Sequence, residues 1–285
     1  MKERFTSLTP TAQFITFLLF ASVCFLVCTS LISLILYNGN RDVSLFHLEA
    51  ANSYPVEFML ANFLPFQLGF LFIPGYLYYT FTKNADDILL PSSQRSSIWA
   101  TLLFLSIFLL LPFLTQVNIE IVRYTGYVEQ LMQQKIESDT LIQELVGKPN
   151  SLSFYVAILI IGVLTGFAEE LVFRRFLFHH LLKYSHNLWL SIMISALSFA
   201  LLHFNLIQLI PLISFGIVFA LMYYISGSIW LGVFFHIANN SLNLFWLSND
   251  SVPYWIDEVN WLINSIGILL LIGWIIKYRK KLRIN

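Results

Sequence analysis

Six polar residues interrupt stretches of this chain that are otherwise almost purely apolar. They are Glu169, Glu170 and Arg174, then His203, then His236 and Asn240. A buried carboxylate and an imidazole can share a water molecule and take a proton from it. A second imidazole with a carboxamide can donate hydrogen bonds to the oxyanion of a tetrahedral intermediate. Alternatively, Glu169, His203 and His236 can hold a divalent ion such as Zn²⁺ that activates the water. Both routes lead to hydrolysis of an amide in a cavity shielded from bulk solvent.

Spacing brings these residues onto shared faces. Glu170 and Arg174 are one helical turn apart with the acid first, the favourable order for an ion pair. Glu169 is turned about 100° from Glu170 on an α-helix, toward a different environment. His236 and Asn240 share a face, as do Phe199 and His203. Glu169 precedes a turn near Ser185 by nearly as many residues as His203 follows it. In an antiparallel helix pair rising about 1.5 Å per residue, the two are then level within roughly 3 Å. His236 follows the Ser226-Gly227-Ser228 turn on the same side. Gly162 and Gly166 form a small-residue face just before Glu169, which lets another helix approach closely.

The elements that must hold these groups are membrane helices. Of 285 residues, 58% are hydrophobic, 16% aromatic and 11% charged, and the mean hydropathy is +0.73. Soluble domains carry about 25% charged residues. The balance of 16 basic and 16 acidic residues excludes a basic nucleic-acid-binding surface, and no nucleic-acid partner is expected. The class is all-α: a polytopic membrane protein of about eight transmembrane helices around an intramembrane polar site.

Uncharged stretches longer than the ~20 residues that cross a bilayer place spans at about 12–37, 58–81 and 97–117. Residues 118–147 are rich in charge, yet Ile121, Val128, Met132, Ile136, Ile142 and Leu145 recur at helical spacing, which predicts an amphipathic surface helix. Span 4 runs from about 153 to Lys183, capped by Ser151 or Ser153. Tyr184 to Asn249 contains no charge and divides into spans at about 187–204, 208–225 and 229–247; the last lies at about 259–276. The organisation is thus 1–117 (three helices), 118–150 (amphipathic, extracytoplasmic), 151–250 (the core with the six polar residues) and 251–285 (final helix and basic tail). Trp99, Trp189 and Trp230 open spans, Trp246 and Trp274 close them, and Trp255 and Trp261 flank the last outer loop, as an interfacial belt requires. Cys24 and Cys28 lie one turn apart in span 1 and read as small packing residues. The side bearing both termini collects 12 basic residues against 4, so both termini are expected in the cytoplasm.

The same residues also carry a family pattern. Glu169 to Arg174 resembles an EExxxR motif, Phe199 to His203 resembles FxxxH, and His236 to Asn240 resembles HxxxN. In this order, all at intramembrane depth, they resemble the CPBP family: the CAAX proteases and bacteriocin-processing (Abi) proteins, including type II CAAX prenyl endopeptidases. The resemblance covers about 153–247. It implies an intramembrane endopeptidase with Glu169 and His203 activating water, His236 and Asn240 as oxyanion hole, and Arg174 holding Glu170. It leaves both a zinc-dependent and a metal-free route open. The implied partners are membrane lipid and a hydrophobic or lipidated peptide or protein substrate, and the implied location is a bacterial cytoplasmic membrane. No oligomeric state follows.

Two other functions use the same side chains: a non-catalytic binder such as a bacteriocin immunity protein, and a proton-coupled carrier with Glu169 and His203 as relay. Among flanking residues, Arg175 is expected to anchor at the cytoplasmic surface. His179, His180 and His186 are expected at the interface, and Asn239 and Asn243 in packing or cavity hydration.

Overall fold

The computed structural model describes residues 5, 7–37, 49–82, 94–249 and 260–282. Lys2, Arg4, Arg41, Lys83, Trp255 and Arg283, used above for orientation and for the outer loop, lie outside the described residues. Among the described residues all regular structure is helical: α1 (Pro10–Tyr37), α2 (Pro55–Thr82, preceded by a short helix Glu49–Ser53), α3 (Gln94–Arg123), α4 (Val128–Val146), α5 (Leu152–Ser185), α6 (Leu188–Leu202), α7 (Leu209–Ser226), α8 (Trp230–Ser248) and α9 (Trp261–Tyr278). The protein is an all-α, multi-pass membrane protein. Six helices (α1, α2, α3, α5, α9 and Leu206–Ser226, which contains α7) are long and apolar enough to cross a bilayer. The expected spans 5 and 7 are present as α6 and α8, but α6 has only 15 residues and α8 carries His236, Asn239, Asn240, Ser241 and Asn243. Length and apolarity thus support six of the eight expected crossings.

Two boundaries differ from the sequence reading. Helix α3 continues to Arg123, so Asn118 belongs to it and is buried rather than opening the amphipathic segment. Its carboxamide explains this: Oδ1 accepts from the Ile210 N–H at 2.8 Å and Nδ2 donates to the Leu206 carbonyl at 3.0 Å. Helix α4 then starts at Val128, and only its last turn, Leu145 and Val146, is fully buried. The turn after it is built as expected. Gly147 takes a φ of +65°, and the Ser151 hydroxyl caps α5 by accepting from Phe154 N–H at 3.1 Å.

The chain forms two compact units. The first holds residues 1–87, 139–176 and 236–251 and the second 88–138, 177–235 and 252–285. In the first unit, α1 meets α2 where Cys24 and Cys28 face Gly69. A Cβ on Gly69 would lie 2.8 Å from the Cys24 carbonyl oxygen, so the cysteines act there as small packing residues. Phe176 of α5 stacks on Phe17 at 3.7 Å between centroids and meets Tyr78 edge-on. Helix α5 approaches α8 at the two glycines singled out above. A Cβ on Gly162 would meet the Ser241 hydroxyl at 2.8 Å, and one on Gly166 the Ile237 backbone nitrogen at 2.9 Å. In the second unit, α6 and α7 pack at Ala196 and Gly216, and α3 and α9 at Ser106 and Gly267.

Candidate active site

Helix α5 is not a uniform α-helix. Its turns widen to π geometry over Ile158–Leu164 and again over Glu170–Phe178. Such bulges are rare and concentrate at functional sites. The second covers most of the Glu169–Arg174 motif, and the first lies opposite the polar part of α8.

The glycine contacts bring α8 against α5, and His236 falls between the two glutamates. Its Nδ1 lies 3.0 Å from Glu170 Oε1 and its Nε2 3.4 Å from Glu169 Oε2. Arg174 Nη1 lies 3.0 Å from the same Glu170 oxygen. The four side chains form one line: Arg174, Glu170, His236, Glu169. All are withdrawn from solvent, at 0%, 1%, 3% and 4% exposure respectively. The Glu170–Arg174 pair is the expected one. The expectation that Glu169 points to a different environment is only partly met, because both carboxylates address the same imidazole from opposite sides. The wider π turn re-aims residues relative to the 100° step of an α-helix.

Asn240 sits one turn beyond His236. Its Nδ2 makes a long contact, 3.5 Å, with the Ile161 carbonyl of α5. His203 belongs to the second unit, just past the end of α6. Its Nδ1 lies 2.9 Å from the Phe199 carbonyl, its ring packs on Phe199 at 4.8 Å, and its side chain is exposed. The next residue, Phe204, adopts a φ of +49° and is 91% exposed, a costly conformation for an aromatic residue. Five of the six candidate residues are therefore brought together in the first unit, and the sixth closes a helix in the second.

Residues 151–242 match a protein-family model, Rce1-like, described as type II CAAX prenyl endopeptidase Rce1-like. The match makes this core similar to the CAAX protease (CPBP) family. The matched stretch spans α5 to α8 and includes all six candidate residues. No curated protein and no solved structure matches the chain.

Within this core, two flanking residues depart from expectation. Arg175 is not a surface anchor: it is 3% exposed and its guanidinium lies 5.3 Å from the Tyr79 ring centroid. The cation–π contact gives a buried guanidinium a counterpart that hydropathy cannot reveal. His180 is likewise buried, packed on Tyr184 at 4.8 Å, whereas His186 is exposed in a left-handed turn that ends α5.

Among the described residues no group of three or more His, Cys, Asp or Glu side chains is placed to hold an ion. Glu169 Oε2 and His236 Nε2 supply two donors, while catalytic zinc sites use three protein ligands. The third candidate, His203, is in the other unit.

Proposed function

We propose that the protein is an intramembrane endopeptidase that hydrolyses a peptide bond near a hydrophobic or prenylated C-terminal segment. The observation that supports this best is the buried line Arg174–Glu170–His236–Glu169. Its charges can be counted. Two carboxylates face one guanidinium and one imidazole, so the desolvated cluster is neutral when it holds one further proton, on His236 or on a carboxylate. Glu170, held by Arg174, is the carboxylate that fixes the ring, so the proton on Nδ1 faces it. His236 then offers Nε2–H only as the imidazolium; the neutral ring presents a lone pair there.

In the proposed reaction, Glu169 and His203 take a proton from a water molecule. Glu169 is 4% exposed, and its Oε2 lies 3.4 Å from His236 Nε2, which keeps the proposed base beside the proposed oxyanion donor. The hydroxide attacks the scissile carbonyl carbon. The oxyanion that forms is met by the His236 Nε2–H and the Asn240 amide. Collapse breaks the C–N bond, and the proton held by Glu169 passes to the leaving amine. Arg174 and Glu170 do not touch substrate; they hold His236 in place.

The test is cleavage of a farnesylated peptide ending in a CAAX sequence by the purified full-length protein, with and without chelator. Cleavage that Glu169→Ala abolishes supports the proposal, and cleavage retained by Glu169→Ala contradicts it. Loss on chelation with recovery on Zn²⁺ would replace the metal-free route by a metal-assisted one at the same residues. We also place both termini on the cytoplasmic side of a bacterial cytoplasmic membrane, on the 10-to-4 basic asymmetry that remains once the buried Arg174 and Arg175 are left out. Accessibility of terminal cysteine tags to an impermeant thiol reagent in spheroplasts tests this.

A further inference from the structure

The second unit carries an open cavity of about 510 Å³, within the ~300–1,000 Å³ range of sites that take small molecules. Its walls are apolar, including Leu103 and Ile107 of α3 and Val218 and Leu221 of α7. Ser214 and Trp189 also line it, and two further groups, Trp274 and Arg279, have unmet polar capacity. Trp274 of α9 is 2% exposed, and its indole N–H has no acceptor among the described residues. A buried donor without an acceptor is costly in an apolar surrounding. Arg279, just past the end of α9, also lines the cavity, is solvent-exposed and pairs with no carboxylate among the described residues.

The occupant must therefore combine an apolar body, an acceptor for the indole N–H and an anion for Arg279. Trp274 and Arg279 are separated along the helix axis by roughly 7.5 Å, at about 1.5 Å rise per residue. That is the order of spacing between an acyl ester carbonyl and the phosphate of a glycerophospholipid. The neighbourhood of Arg279 is strongly basic. Lys277, Lys280 and Lys281 accompany it with no acid between them, and the Lys281 ammonium lies 5.4 Å from the Tyr224 ring centroid. Trp99 and Trp274 both meet Tyr278 at this end of the unit, as residues at a membrane interface do.

We propose that this cavity binds an anionic glycerophospholipid. One acyl chain fills the apolar part, an ester carbonyl accepts from the Trp274 indole, and the phosphate pairs with Arg279. The site shares no residue with the buried line of α5 and α8 and stands independently of the peptidase reading.

The experiment is native mass spectrometry of the full-length protein in detergent, mixed with phosphatidylglycerol or phosphatidylcholine. The wild type is expected to retain one phosphatidylglycerol with about tenfold preference. Arg279→Ala is expected to erase that preference. Trp274→Phe, which keeps a ring and removes the donor, is expected to lower retention of both lipids by roughly threefold, since both carry ester carbonyls. Lys277→Ala, outside the cavity lining, is expected to leave the preference intact. Equal retention of the two lipids by the wild type, or an unchanged preference in Arg279→Ala, overturns the proposal. So does a Lys277→Ala loss as complete as that of Arg279→Ala, which would assign the preference to diffuse surface charge. Arg279 is exposed, so its substitution tests the site even where Trp274→Phe unfolds the protein.

Discussion

The two histidines of the candidate site live in opposite settings. His236 is fixed in the first unit between two buried carboxylates, with Arg174 behind one of them. His203 stands exposed at a helix end in the second unit, attached to Phe199 of its own turn and followed by a strained Phe204. The first is held by its surroundings and the second by its backbone. Loss of Arg174 or of the α5–α8 packing that holds His236 should therefore disturb folding and chemistry together, whereas substitutions at His203 should separate them.

The largest effect on stability is expected for Arg174→Met. Removing the guanidinium leaves Glu170 buried beside only an imidazole, and breaking a buried ion pair on one side costs about 3–5 kcal/mol. Thermal unfolding in detergent, followed by tryptophan fluorescence, should show a large fall in midpoint or no folded protein. Gly166→Leu is expected next. Even a Cβ there meets the Ile237 backbone at 2.9 Å, and backbone cannot rotate away as a side-chain tip can. Overpacking of this kind costs about 1–3 kcal/mol, and it should move α8 enough to lower peptide cleavage together with the melting midpoint.

Asn118→Ala should follow at about 1–3 kcal/mol, the cost of leaving the Ile210 N–H without its acceptor. Because Asn118 holds both Leu206 and Ile210, this substitution loosens the turn just after His203, so cleavage should fall while the His236 cluster stays intact. His203→Ala should cost the least, within about 0.5 kcal/mol as for an exposed position, yet lower cleavage by about 10²–10⁴-fold. Paired melting and cleavage measurements on the four variants check this order. A large stability loss in His203→Ala would erase the contrast between the two histidines.

Much of this organisation could be read before any coordinates. Uncharged stretches located the helices, and Gly227 and Ser151 marked real termini. The Glu170–Arg174 pair was implied by i,i+4 spacing, and Gly162 and Gly166 marked a close helix approach. What spacing could not provide was the identity of the approaching helix, and therefore the position of His236 between both glutamates. The π turns of α5 compound this, since a periodicity of 3.6 assigns Glu169 and Glu170 to separate environments. Arg175 and Asn118 were misplaced for a related reason. Hydropathy treats both as surface residues, while a ring face on α2 and backbone groups of the α6–α7 connection and the first turn of α7 satisfy them inside the protein.

The central claim is that Glu169 is the base that activates water, while Glu170 serves only to hold His236. Glu169→Gln tests it most directly, because the carboxamide keeps the size of the side chain and loses its ability to take a proton. The variant should melt within a few degrees of the wild type and cleave the farnesylated peptide at least about 10²-fold more slowly. Cleavage by a folded Glu169→Gln protein at a rate near that of the wild type would contradict the account.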